Sequence, residues 1–304
     1  MADEQMLALA VEALNQPGEI EPELVGALSH LLRTDLAEVA SAWGSLPVER
    51  RLEILTQLSR AERQNARLDF NAMYGMALDD IEPRVRRLAI DSMVTENGPA
   101  HIERLAAMAE HDADRFVREA AVVRLAPFAL MAELGDLPDP WPDRLRSLLL
   151  RIYQDEDAPV GVRREALASV GYLDSIAVER AIEEGFDDDN YQLWAMRAMG
   201  RTANADWLDT LTGEAAHPDP AVRQEVARAI GELADERGID AVSDLVDDTE
   251  LEVRLAAIKA LGQIGGDDAR EPLLYALEDE RDIIREAAEN ALNEIEEDEE
   301  PLAL

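Results

Sequence analysis

The sequence contains no cysteine, which removes disulfides, thiolate nucleophiles and cysteine-ligated zinc and fits a reducing compartment. Lysine is nearly absent: Lys259 is the only one among 29 basic residues, and no glycine precedes it in the Gly-x-x-x-x-Gly-Lys pattern of a phosphate loop. Long apolar runs are missing too. The longest stretch without a charged side chain, residues 39–48, falls well short of the ~20 residues a bilayer-spanning helix needs. Positive charge is in deficit, since 29 Lys and Arg stand against 66 Asp and Glu, a formal net charge of −37. A field of that sign repels nucleic acid and anionic membrane surfaces, because phosphate-backbone binding draws its affinity from Lys and Arg. The opening Met1-Ala2-Asp3-Glu4-Gln5 is acidic where a secretory signal is basic. These features predict a soluble, cytoplasmic protein with neither nucleic-acid nor membrane partners.

What the sequence has is repetition. Ala221-Val222-Arg223-Gln224-Glu225-Val226-Ala227-Arg228-Ala229-Ile230-Gly231 returns 31 residues later as Glu252-Val253-Arg254 through Leu261-Gly262, and again as Ile283-Ile284-Arg285 through Leu292. Tyr191-Gln192-Leu193-Trp194 is a degenerate copy with Gln192 in place of arginine, and earlier copies centre on Arg163, Arg118 and Arg86, with a weaker one near Arg51. Within a copy, Val222, Val226, Ala229, Ile230 and Leu233 recur at spacings of three and four, one face of a helix. Asp219-Pro220 suits the start of that helix, because a carboxylate caps free N–H groups and proline is tolerated in the first turn. The segment around Trp207–Leu211 supplies a partner helix. Neither helix can bury its apolar stripe alone, so stacking of neighbouring pairs must close the core. The expected fold is therefore all-α, an α-solenoid of antiparallel helix pairs.

The Asp-x-x-Val-Arg-x-x-Ala-x-x-Ala-Leu-Gly pattern, clearest at residues 250–266, resembles HEAT repeats of the bacterial, phycobiliprotein-lyase-like class. Leu68-Asp69-Phe70-Asn71, Ala132-Glu133-Leu134-Gly135 and Ala198-Met199-Gly200-Arg201 extend the likeness to bacterial HEAT-repeat proteins. The resemblance implies that the Val-Arg helices line the concave side. It also implies that Arg86, Arg118, Arg163, Arg223, Arg254 and Arg285 bond acidic turn residues of adjacent repeats. HEAT-type deoxyhypusine hydroxylases hold iron through His-Glu pairs; here His30, His101, His111 and His217 are scattered and none precedes a glutamate. Asp187-Asp188-Asp189-Asn190 looks like a calcium loop only superficially, because Tyr191 stands where an oxygen ligand is needed and no glycine follows. No cofactor or catalytic residue is expected.

The expected organisation is a helical cap over residues 1–46, built from Ala2–Asn15 and Pro22–Leu32, then a HEAT-repeat solenoid over 47–297 and an acidic tail over 298–304. The spacing from Arg118 to Arg163 is 45 residues, 14 beyond the period. It holds an insertion near 136–143 whose Pro138, Pro140 and Pro142 predict a stiff loop carrying Trp141. Trp141 is there either an exposed anchor or tucked against the solenoid.

With no catalytic constellation, the sequence predicts a non-catalytic scaffold that holds another protein, a basic one by charge. The alternatives are a lyase or chaperone-like helper for a chromophore-bearing protein and, against its charge, a nucleic-acid repair protein. Five residues beyond the Gln192, Arg223 and Arg254 positions lie Arg197, Arg228 and Lys259, a candidate basic row on stacked inner helices. Trp194, Tyr191, Tyr172 and Arg201 lie near one end of it. With Trp141, these eight residues form the candidate partner-binding set, because arginine beside aromatics is the composition of binding hot spots. The bland alternative is that the row neutralises Glu225 and Glu232.

Overall fold

A computed structural model of the chain describes residues 2–93 and 99–299. Among them every regular element is helical. The fold is an α-solenoid of helix pairs, and it divides into two compact units, Met1–Phe128 and Ala129–Leu304.

The first unit contains α1 (Ala2–Leu14), α2 (Pro22–Ala27), α3 (Arg33–Trp43), α4 (Val48–Gln64), α5 (Asn71–Ala77), α6 (Pro83–Ser92), α7 (Pro99–His111) and most of α8 (Arg115–Glu133). Helix α2 stops at Ala27, short of the expected Leu32, where His30 adopts φ of 53° and its N–H donates to the Asp69 carbonyl at 2.8 Å. Leu14, Leu28, Ile54, Leu55, Leu58, Phe70, Met73 and Tyr74 are fully buried. Arg50, on α4, donates to the carbonyls of Leu14 (2.9 Å), Ala13 (3.2 Å) and Gly18 (2.6 Å). Leu14 and Ala13 end α1 and Gly18 lies in the turn that follows, so one guanidinium caps the helix and holds its exit.

The second unit contains α9 (Trp141–Gln154), α10 (Val160–Val170), α11 (Ile176–Phe186), α12 (Gln192–Arg201), α13 (Leu208–Gly213), α14 (Pro220–Leu233), α15 (Ile239–Leu245), α16 (Leu251–Ile264), α17 (Gly266–Ala276) and α18 (Asp282–Glu299). Helix α18 continues through the acidic stretch after Glu294; residues 300–304 of the expected tail lie outside the described residues. Trp141 is not on a loop. It is the first residue of α9, 8% exposed, with the Arg144 guanidinium 4.4 Å from its ring centre. Pro142 falls in the first helical turn, which lacks backbone acceptors for N–H groups anyway, so it opens the helix rather than stopping it. Trp141 therefore belongs with the buried side chains and is not a free anchor.

The second helices of the pairs, α10, α12, α14, α16 and α18, stack on one another in order, while the first helices touch their counterparts far less. A stack that is tighter along one row curves toward that row, so within this unit the second helices form the inner face. Glycine makes the tight row possible. A Cβ on Gly171, Gly200 or Gly231 would lie 2.5–2.8 Å from backbone atoms of Ala198, Ala229 and Ala260 on the next inner helix, and one on Gly262 would lie 2.9 Å from the Ala291 Cβ. Asp219 caps α14 as expected, its Oδ1 accepting from the Ala221 N–H at 2.9 Å.

Candidate functional site

The repeat arginines tie each helix pair to its neighbour. Arg223 forks onto Asp248 (2.6 and 2.8 Å) and Arg86 onto Asp112 (2.9 and 2.6 Å), Arg254 reaches Asp279 at 2.5 Å, and Arg51 pairs with Asp80. The same side chains donate to carbonyls of their own inter-helix turn: Arg223 to His217 (2.8 Å), Arg86 to Asp80 (2.9 Å), Arg254 to Val246 (2.7 Å). These guanidiniums hold Asp248 and Asp279 below the usual carboxylate range. Arg285 bonds the Asp279 carbonyl and Asp282, Arg118 the Ala109 carbonyl, and Arg163 the Tyr153 carbonyl at 2.8 Å. The ladder breaks in the middle of the second unit. Phe186 stands where Arg163 would meet an aspartate, and its guanidinium instead lies 5.1 Å from the Tyr191 ring centre and 6.0 Å from that of Tyr153. One step on, both partners are replaced together, by Gln192 and His217. Asp188 serves a turn, its Oδ1 accepting from the Asn190 N–H at 2.9 Å.

The rest of the inner face follows from three rows of equivalent positions. Row one is Glu165, Trp194, Glu225, Ala256, Ala287; row two is Ala168, Arg197, Arg228, Lys259, Asn290; row three is Tyr172, Arg201, Glu232, Gln263, Glu294. A row-two cation reaches the row-one residue of the next helix. Arg197 forks onto Glu225 with two bonds of 2.9 Å, and Glu225 keeps 6% of its side chain exposed. That carboxylate raises the pKa of Arg197 above its already high value. For Arg228 the next row-one residue is Ala256, and for Lys259 it is Ala287, so neither finds a carboxylate ahead. Arg228 turns back to Glu225 at 3.8 Å with half of its side chain exposed, and Lys259 is exposed. The expected basic row is thus brought together but unevenly. All three line one cleft of about 490 Å³ with Arg201, Glu225, Glu232 and Glu252, but Arg197 is spent on Glu225 while Arg228 and Lys259 are exposed.

The aromatic end of the set is anchored. The Trp194 indole N–H donates to Glu165 at 3.0 Å and its ring carries the Arg164 guanidinium at 4.3 Å, leaving the side chain half-buried. Tyr191 is buried, edge-on to Tyr153 with ring centres 5.6 Å apart. Tyr172 and Arg201 sit one row away. Arg201 donates to the Ala168 carbonyl at 2.9 Å, lies 4.9 Å from the Tyr172 ring centre and approaches Glu232 only to 3.7 Å. Of row three the sequence singles out Tyr172, Arg201 and Glu232 and passes over Gln263 and Glu294. Its signal was the residue after each inner-helix glycine, which changes character at every repeat.

Among the described residues no group of three or more His, Asp or Glu side chains is placed to hold a metal, and no helix is long and apolar enough to cross a membrane. Residues 181–250 and 208–293, all within the second unit, match the family model for HEAT repeats. No curated protein matches the sequence. Among solved structures, Escherichia coli YibA is similar at 16% identity over 92% of this chain and 99% of its own, with a TM-score of 0.45. Human deoxyhypusine hydroxylase is similar at 20% identity over 98% of both chains, TM-score 0.32. Kap95p, from a structure with RanGDP, is 14% identical over 96% of this chain and 45% of its own, TM-score 0.49. At such identities and scores, neither the hydroxylase's activity nor Kap95p's partner transfers to this chain.

Proposed function

We propose that this chain is a non-catalytic scaffold that holds a protein partner on the inner face of its second unit. The observation that carries the reading is the uneven basic row: Arg228 and Lys259 stand open on the inner face of an otherwise acidic protein. Solenoids of this kind present extended concave surfaces to partners, and a net charge of −37 favours a basic protein by long-range attraction. The alternative, a helper for a chromophore-bearing protein, rests on the repeat class alone and would be marked by tetrapyrrole absorbance in the purified protein.

The test is affinity capture from the source organism with three baits. Arg228→Gln/Lys259→Gln is expected to lose the specific partner while moving stability by no more than about 0.5 kcal/mol, since both side chains are exposed. Arg180→Gln/Arg237→Gln, on outer elements, is expected to keep it. Equal capture by all three baits would refute the inner-face reading. Arg197 is unsuitable for this test, because its loss leaves Glu225 buried without its cation.

A further inference from the structure

Beside the basic row runs a second feature of opposite sign. The C-terminal ends of α12, α14 and α16 open onto one groove of about 700 Å³, walled by Tyr172, Arg201, Glu232, Gln263, Glu294 and Glu297. Helix C-termini carry partial negative charge that proteins usually offset with Lys or Arg in the last turn. Neither α14 nor α16 has a basic residue there. Glu294 and Glu297 are exposed and no basic side chain among the described residues lies within ion-pair distance of either. The nearest cation to Glu232 is Arg201, at 3.7 Å, with Arg197 and Lys259 also acting on it from farther off, and the buried Nε of Arg201 makes no hydrogen bond. Burial raises the Glu232 pKa and outweighs the opposing pull of Arg201, Arg197 and Lys259.

Arg201 shows how this groove holds a guanidinium: its head group is bonded to a backbone carbonyl, lies against the Tyr172 ring and faces a glutamate. In the next three repeats the equivalent position is Glu232, Gln263 and Glu294, so the cation is present once and its acidic surroundings continue. We propose that this groove receives an extended, cationic segment of the partner protein, with successive arginines or lysines set against Glu232 and against Glu294 and Glu297. The proposal rests on the scaffold reading and adds the partner's chemistry and spacing. Glu232 and Glu294 lie two inner helices apart, about 16–20 Å at 8–10 Å per helix. An extended chain covers ~3.3 Å per residue, which puts the two cations about five to six residues apart. The groove shares Arg201, Glu232 and Gln263 with the cleft that Arg228 and Lys259 line, so those two cations stand at its edge, one helical turn earlier on α14 and α16.

The probe is a fluorescent Gly/Ser peptide carrying two arginines six positions apart, titrated into the full chain and followed by anisotropy. A second peptide has the arginines two apart. Glu232→Gln/Glu294→Gln/Glu297→Gln is expected to weaken binding of the first peptide about ten-fold, while Asp209→Asn/Asp240→Asn/Glu271→Gln, the same change of charge on outer helices, weakens it less than about two-fold. The six-spaced peptide is expected to bind several-fold tighter than the two-spaced one. Equal weakening by the two triple variants, or equal binding of the two peptides, would overturn the groove, since either result is attraction to net charge alone. Absence of binding up to about 1 mM would overturn it as well. The scaffold reading would survive any of these results provided that capture still depends on Arg228 and Lys259.

Discussion

The two units use the same clamp and different seams. In the first, Arg51–Asp80 and Arg86–Asp112 join successive helix pairs just as Arg223–Asp248 and Arg254–Asp279 do in the second. The seam between inner helices differs. Eight residues beyond the clamp position, the second unit has Gly171, Gly200, Gly231 and Gly262, whereas the first has Ser59 after Arg51 and Ala126 after Arg118. Ser59 is buried and its hydroxyl accepts from Arg63 at 2.9 Å. The clamp therefore defines the repeat, and the glycine seam defines the regular array, with Gly200, Gly231 and Gly262 inside the stretch that matches the HEAT-repeat model. A close-packed row of near-identical helices brings side chains from five repeats onto one face, which is what a binding surface for an extended partner requires.

The seam gives the largest expected effect. Gly231→Ala would push a methyl group to 2.8 Å from the Ala260 Cα and Cβ, an overpacking expected to cost up to about 3 kcal/mol. Ser59→Ala, at the equivalent place in the first unit, is expected to cost under about 1 kcal/mol, the loss of one hydrogen bond. Urea unfolding of the two variants measures the contrast, and similar losses would show that the seam is not what distinguishes the units.

The clamp comes next. Asp248→Asn leaves the Arg223 guanidinium without its carboxylate and is expected to cost about 2 kcal/mol at neutral pH. The sign of the pH dependence follows from the lowered Asp248 pKa. A carboxylate with a folded-state pKa below its unfolded value contributes stability that is full above about pH 4 and lost as pH falls through the folded value. Glu232 has the opposite shift, so its ionisation above the unfolded value near 4.5 works against folding. Asp248→Asn should therefore flatten the acid limb of the stability profile, and Glu232→Gln should raise stability slightly at neutral pH. An acid limb unchanged in Asp248→Asn would contradict the clamp.

The smallest effect lies at the helix ends. Ala203, Ala234 and Gly265 occupy one repeat position with φ of 52°, 50° and 72°, the left-handed region that disfavours a Cβ. Ala234→Gly is expected to be neutral or stabilising by up to about 1 kcal/mol, whereas glycine inside a helix normally destabilises by a similar amount. A clear loss of stability in thermal melts would mean that the Ala234 methyl has a contact that outweighs the strain.

Much of this was legible in the sequence because the period is strict where the packing is strict. The 31-residue spacing located α14, α16 and α18, and Asp219-Pro220 located a helix start. The structural role of the Val-Arg arginines came through the HEAT resemblance. What was not legible depends on neighbours in space. The three prolines predicted a loop and left Trp141 either exposed or tucked in, yet a proline in a first turn is no obstacle to a helix and the ring is covered. Arg197, Arg228 and Lys259 looked equivalent, and they differ only because the residue that each meets on the next helix is Glu225, Ala256 or Ala287. Reading row against row across repeats, rather than along the chain, would have found that distinction and the acidic groove with it.

The central claim is that the inner face of the second unit is where a partner sits. Hydrogen–deuterium exchange on the chain, alone and with its captured partner, tests this most directly. The account expects slowed exchange at the C-terminal turns of α12, α14 and α16 and along α18, with outer helices α11, α13 and α15 unchanged. Protection confined to the outer helices or to the first unit would contradict it.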